Sequence, residues 1–187
     1  LSTDSLTGNP ADFSIETWFY SENIVNDGKD KPIISRHSSD GATDDAAEFN
    51  LYIRNDGHLI FFMGSGNAND RRAIELDGGI TSPEEWIQAA VTYEHNTGAS
   101  EDTVRLYVNG QLASEGTVSF TGNSSRQGVA NAPIQIGRYH TTLVDSSNAV
   151  ILDANSNPVQ ETHLFEGHID EVRIWNDARS LNEINEN

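Results

Sequence analysis

Phe165-Glu166-Gly167-His168-Ile169-Asp170-Glu171-Val172-Arg173-Ile174-Trp175-Asn176, followed by Ala178-Arg179-Ser180-Leu181-Asn182-Glu183-Ile184, is the stretch that decides the fold. It reads as a strand that stops at a polar corner and hands over to one helical turn. The side-chain period of a pleated strand puts Val172, Ile174 and Asn176 on one face and Glu171, Arg173 and Trp175 on the other. Ser180 and Glu183 have the spacing of a capping box, in which hydroxyl and carboxylate each satisfy an orphan backbone N–H.

Upstream the chain keeps the rhythm of a β protein, with short strand signals separated by Gly, Asn, Asp and Ser turns. Phe13, Ile15, Thr17 and Phe19 alternate with Ser14, Glu16, Trp18 and Tyr20. Pro32-Ile33-Ile34-Ser35 starts a second strand. Phe49, Leu51 and Ile53 lead into the turn Asn55-Asp56-Gly57, and His58 to Met63 runs back. Asn109-Gly110 is a second tight-hairpin signal, since both residue types accept positive φ. Residues 71–77 and 112–120 read as further strands. Two segments break the rhythm: an acidic loop at 36–48, and an excursion at 140–164 carrying the apolar run Ala149-Val150-Ile151-Leu152. The excursion is expected to form its own hairpin, because structureless loops of that length are uncommon in compact domains.

Five segments in this order resemble laminin G-like domains of the concanavalin A-like lectin/glucanase superfamily. They are Phe13 to Tyr20, Trp86 to Tyr93, Val104 to Leu112, Pro133 to Arg138, and the closing Phe165 to Ile184. The resemblance implies an all-β, two-sheet antiparallel jelly-roll sandwich with one short C-terminal helical turn. Residues 1–187 are expected to form one such domain, cut out of a larger multidomain protein.

Composition narrows the function classes. The 187 residues include 29 acidic and 11 basic side chains, a formal net charge of −18. Such a surface repels nucleic acid and anionic membrane. No apolar run approaches the roughly 18 residues of a membrane helix. The absence of cysteine rules out disulfides, zinc–thiolate sites and cysteine nucleophiles.

Glucanases occur in the superfamily, so catalysis has to be considered. The laminarinase-type members carry Glu-x-Asp-x-x-Glu on one strand, and a glycosidase needs two carboxyl groups facing the same sugar. The nearest candidates here are Glu166, Asp170 and Glu171. Asp170 and Glu171 are adjacent, and on a regular strand they point to opposite faces. No Gly-x-Ser-x-Gly elbow, phosphate-binding loop or His-Glu-x-x-His occurs. The expectation is a non-enzymatic domain.

Calcium is the better-supported chemistry, because it takes six to eight oxygens from loop carboxylates, amides and carbonyls. Asp40, Asp44 and Asp45 crowd one loop. Asp153, Asn155 and Asn157 have the alternating spacing of half a calcium loop, which is also the make-up of an ordinary polar turn. By the resemblance, Asp170 lies near a structural calcium, approached by Asp4 or Asp12. The expected role of Ca2+ is structural or ligand-bridging. A pentraxin-like double-calcium site is not expected, since Arg138, Tyr139, His140 and Thr141 stand where that subgroup has its acids.

The tryptophans Trp18, Trp86 and Trp175 sit inside strand patterns and are expected in the core. Ligand recognition is expected on the rim made by the 36–48 loop and the 138–163 excursion. There Tyr139 offers a ring, Arg138 a cation, His37 and His140 imidazoles, and Asp40, Asp44 and Asp45 acceptors. His140 and His163 are placed to meet across the base of the excursion. The function expected is calcium-assisted carbohydrate binding, lectin-like, within a secreted or cell-surface protein such as an adhesin or a polysaccharide-acting enzyme. The partner is a glycan or polysaccharide, with a cell-surface protein as a second class; nucleic acid and membrane insertion are not expected. The alternative is a structural or protein-binding spacer without glycan affinity.

Overall fold

The computed structural model describes residues 12–24, 28–37, 47–64, 73–96, 98–119, 133–143, 145–147 and 149–186. In chain order the elements are β1 (Phe13–Ser21), β2 (Lys31–His37), β3 (Ala47–Ile53), β4 (His58–Gly64), β5 (Ala73–Ile80) and β6 (Trp86–Glu94). These are followed by β7 (Asp102–Val108), β8 (Gln111–Val118), β9 (Ile134–Ile136), β10 (Arg138–Thr142), β11 (Gln160–Leu164), β12 (Gly167–Trp175) and α1 (Leu181–Asn185).

Two five-stranded sheets form the two layers of a jelly-roll sandwich, ordered β12-β1-β6-β7-β8 and β5-β4-β3-β2-β9. Among the described residues every strand pairing is antiparallel. The alternation in β1 sets the geometry of the first sheet. Phe13, Ile15 and Phe19 face inward and are essentially inaccessible, opposite Tyr93, Val91 and Ile87 of β6. The second sheet answers with Phe49, Leu51, Ile53, Leu59, Phe61 and Met63. Phe13 stacks on Tyr93 at 5.3 Å and tilts against Phe49 at 6.4 Å, joining the two layers. Full burial of each such side chain is worth about 1.5–3 kcal/mol, so the core carries the stability of a cysteine-free domain.

The outer face of the first sheet is covered over part of its area by the C-terminal segment. Ile184 packs on Ala90 and Tyr107, and the Gln88 side chain donates to the Ile184 carbonyl at 3.3 Å. Ser180 accepts from the Glu183 N–H, and the Glu183 carboxylate accepts from the Ser180 N–H at 2.8 Å, so the capping box forms as its spacing predicts. Ser14 Oγ donates to the Asp177 carbonyl and accepts from the Arg179 N–H.

β12 departs from a regular strand. Its register with β1 shifts between Glu16 and Trp18, and Glu171 adopts φ 51°. This bulge changes the parity of the strand. Ile169 and Val172, three residues apart, both pack against the core, as does Ile174. The strict alternation expected across Asp170 and Glu171 therefore does not hold, because one extra residue is inserted at that point.

The segment Pro133 to Arg138 is also not one strand. Gly137, at φ +74°, divides β9 from β10 and gives Arg138 to the second of them. β10 and β11 form the separate hairpin expected for the excursion. Beyond their ends Leu143 N–H donates to the Val159 carbonyl, and the outermost turn is closed by Asp153 and Asn157. The hairpin Asn109-Gly110 forms with both residues at positive φ, 50° and 69°.

Candidate functional site

Tyr20, Trp86 and His168 come from the end of β1, the start of β6 and the start of β12. Sheet register places them in one row: Tyr20 is opposite Trp86 on one side and opposite His168 on the other. All three share the outer face, since their neighbours Phe19, Ile87 and Ile169 point into the core. The ring centroids of Tyr20 and Trp86 are 5.8 Å apart, of Tyr20 and His168 5.8 Å, and of Trp86 and His168 6.4 Å. Core cross-strand aromatics are normally covered, yet Trp86 is 47% exposed here. The rings line an open cleft of about 640 Å3 whose remaining walls are Glu22 and Glu84.

The two acids are held differently. Glu22 follows β1; its backbone N–H donates to the Glu166 carbonyl, and its carboxylate lies 3.7 Å from His168 Nε2. Glu84 sits in the Pro83-Glu84 turn before β6 with φ 60°, a left-handed conformation uncommon outside glycine and asparagine. Its N–H is fastened to the Ser21 carbonyl at 2.8 Å, while its carboxylate makes no ion pair or hydrogen bond with the described residues. Both acids are exposed.

The positions singled out from sequence fare unevenly. Asp4, Asp40, Asp44 and Asp45, like the side chain of His37, lie outside the described residues. Tyr139 is 6% exposed, stacks on His163 at 4.6 Å and 8°, and directs its hydroxyl to Asp30. It is a buried hairpin residue rather than a platform for a ligand. Register sets Tyr139, not His140, opposite His163; His140 instead faces Thr162, whose hydroxyl lies 3.0 Å from His140 Nδ1. Arg138 reaches back to the Gln135 side chain at 3.1 Å.

The metal candidates do not converge among the described residues. No three Asp, Glu, His or Cys side chains there are grouped to hold an ion. Asp12 Oδ1 accepts from the His95 N–H at the start of β1, whereas Asp170 stands opposite Trp18 well along that strand. At about 3.3 Å per residue, that separation prevents the two from sharing one ion. Asp170 Oδ1 accepts from the N–H of Glu171, inside the bulge. Asp153 Oδ1 accepts from the N–H groups of Asn155 and Asn157, and these bonds hold its carboxyl below the usual range. That is turn chemistry.

Trp18 and Trp175, expected in the core, lie half-buried on the outer face of the first sheet; Trp175 carries the Arg179 guanidinium over its ring at 4.1 Å. The signal for the row was present in the sequence. Trp86 has the parity of Gln88, not of Ile87, Ala89 and Val91, and Tyr20 has the parity of Ser14 and Glu16.

The family profile Laminin_G_3, described as the concanavalin A-like lectin/glucanases superfamily, matches residues 1–185. No curated protein matches the chain. Among solved structures, the CBM40 of the Ruminococcus gnavus IT-sialidase, bound to α2,3-sialyllactose, superposes with a TM-score of 0.57 at 12% identity. That match covers 93% of this chain and 80% of the other. The binding domain of botulinum neurotoxin DC, in complex with rat synaptotagmin II, gives 0.54 at 14% identity over 94% and 35% of the two chains. The leech intramolecular trans-sialidase, complexed with 2,7-anhydro-Neu5Ac, gives 0.57 at 14% identity over 93% and 22%. At such identities the likeness is one of fold.

Proposed function

The chain belongs to the concanavalin A-like lectin/glucanases superfamily, and from that premise we propose that it is a non-catalytic carbohydrate-recognition module of a secreted or surface-displayed protein. The observation that carries the reading is the exposed row of Tyr20, Trp86 and His168 walled by Glu22 and Glu84. A pyranose presents an apolar C–H face and a rim of hydroxyls. An exposed indole beside a phenol matches the first, and two hydrated carboxylates accept hydrogen bonds from the second. Support of a coarser kind comes from the R. gnavus CBM40, which is bound to sialyllactose on the same fold. Fold alone does not transfer a ligand, so the site carries the argument.

Both carboxylates line the cleft as exposed hydrogen-bond acceptors, an arrangement that suits binding. The test is a panel of neutral, amino and sialylated oligosaccharides titrated against the intact domain and Trp86→Ala. Binding by the parent that drops at least tenfold in the variant, with no release of reducing ends, is the expected result. Binding unaffected by Trp86→Ala would move the site elsewhere, and catalytic turnover would replace the reading by an enzymatic one. Calcium is a separate part of the proposal, addressed by repeating the titration with the ion and with a chelator.

A further inference from the structure

Resting on the carbohydrate reading, we infer that the Tyr20–Trp86–His168 cleft selects glycans bearing a free, protonated amino group over neutral or acidic ones. The side chains lining the cleft are three aromatic rings and two carboxylates; among the described residues lining it there is no lysine or arginine. A sialylated or sulfated sugar would bring its anion against Glu22 and Glu84 with nothing of fixed positive charge to receive it. The formal net charge of −18 adds a long-range field of the same sign. An ammonium group is favoured by both, and it is also attracted to the electron-rich faces of Trp86 and Tyr20.

Both acids stand beyond the strand ends that carry the row: Glu22 directly follows β1, with its carboxylate 3.7 Å from His168 Nε2, and Glu84 lies two residues before Trp86. Both line the same cleft as the rings, so a sugar laid on the indole lies within a site that carries two carboxylates. Glu84 has no competing partner among the described residues, so its charge is available to a ligand. Its left-handed backbone and the bond from its N–H to Ser21 fix where the side chain leaves the main chain.

The experiment compares a β1,4-linked glucosamine tetrasaccharide with free amines, its fully N-acetylated counterpart and 3′-sialyllactose. Each is titrated at pH 6 against the parent, Glu22→Gln, Glu84→Gln and Trp86→Ala. The free-amine sugar is expected to bind about tenfold more tightly than the acetylated one at low salt. Each Gln variant should lose up to about fivefold for the amine, the range of an exposed ion pair, and change little for the acetylated sugar. Raising salt to 0.5 M should shrink the preference, because exposed charges are screened. Equal binding of amine and acetylated sugars, or tightest binding of sialyllactose, with either lost in Trp86→Ala, would overturn the charge selectivity and leave the carbohydrate reading standing. No binding of any of the three, nor of any other glycan, would overturn both.

Discussion

The Tyr20 carbonyl occupies the space in which a side chain on Gly167 would begin. A β-carbon there would lie 3.0 Å from the Tyr20 carbonyl carbon and 3.1 Å from the Glu22 nitrogen, closer still to the oxygen. Gly167 also has φ +141°, which side-chain-bearing residues rarely adopt. This close approach seats the start of β12 against the end of β1 and places His168 beside Tyr20. Gly167→Ala is expected to cost about 1–3 kcal/mol, the range of a strained backbone position. At roughly 2–4 °C per kcal/mol, a melting curve resolves it. Glycan affinity should fall as well, since the row of rings is displaced.

Trp86→Ala should separate binding from folding. The indole is 47% exposed and touches its neighbours only across the outer face. Unfolding in urea is expected to change by no more than about 1 kcal/mol, against a loss of tenfold or more in glycan affinity. A large stability loss would show that the ring is structural.

Glu84→Gly makes the opposite trade. The left-handed region costs an L-residue roughly 1–2 kcal/mol, and glycine reaches it without that strain. The gain is reduced by the entropy glycine loses on folding, so a net stabilisation of up to about 1 kcal/mol is expected. Preference for the free-amine sugar should weaken. A destabilised variant would mean that the Glu84 side chain supports the turn.

Asp102 is a buried acid outside the site that holds several partners at once. It is 2% exposed, accepts from Tyr93 Oη at 2.6 Å, lies 2.7 Å from His95 Nδ1 and accepts from the Asn96 N–H at 3.1 Å. Asp102→Ala would leave the inaccessible Tyr93 hydroxyl without this partner and free the β6–β7 connection. A loss of about 3 kcal/mol in chemical denaturation is expected.

The tip of the excursion should loosen in acid before the core does. Hydrogen bonds from Ser147 and Ala149 lower the pKa of Asp145, and those from Asn157 and Asn155 lower that of Asp153, each from an ordinary value of 3.8. A depressed carboxyl contributes stability that is complete above its unfolded value and is lost as pH falls through the folded one. Protection of the amides of Ser147, Ala149, Asn155 and Asn157, measured as exchange relative to the intrinsic rate at each pH, should therefore fall below about pH 4. Asp145→Asn and Asp153→Asn should flatten that dependence, because the amide oxygen still accepts but does not titrate.

Much of the sandwich could be read from residues such as Phe13, Ile15 and Phe19, whose alternation depends on burial alone. The capping box and the Asn109-Gly110 hairpin were equally legible, being local chemistry. Less was legible where register decides. Tyr20, Trp86 and His168 are distant in sequence, and only the strand order β12-β1-β6 brings them together. The burial of Tyr139 was not legible, because an aromatic at the head of an excursion can face either way; here it stacks on His163. The bulge at Glu171 left one trace: Ile169 and Val172 are three apart where a regular strand would separate them by an even number.

The pairing of β1 with β12, which sets Ser14 opposite Trp175, has a consequence for the order of events during synthesis. β1 acquires its outer neighbour only after the ten strands between it and β12 have been made, so it waits with one edge open to competing strands. The cleft draws its rings from β1, β6 and β12, so it is completed only when β12 docks. The cleft is thus completed by the last of the strands that build it, and a chain stalled before residue 167 carries two of the three rings and an unguarded edge of β1.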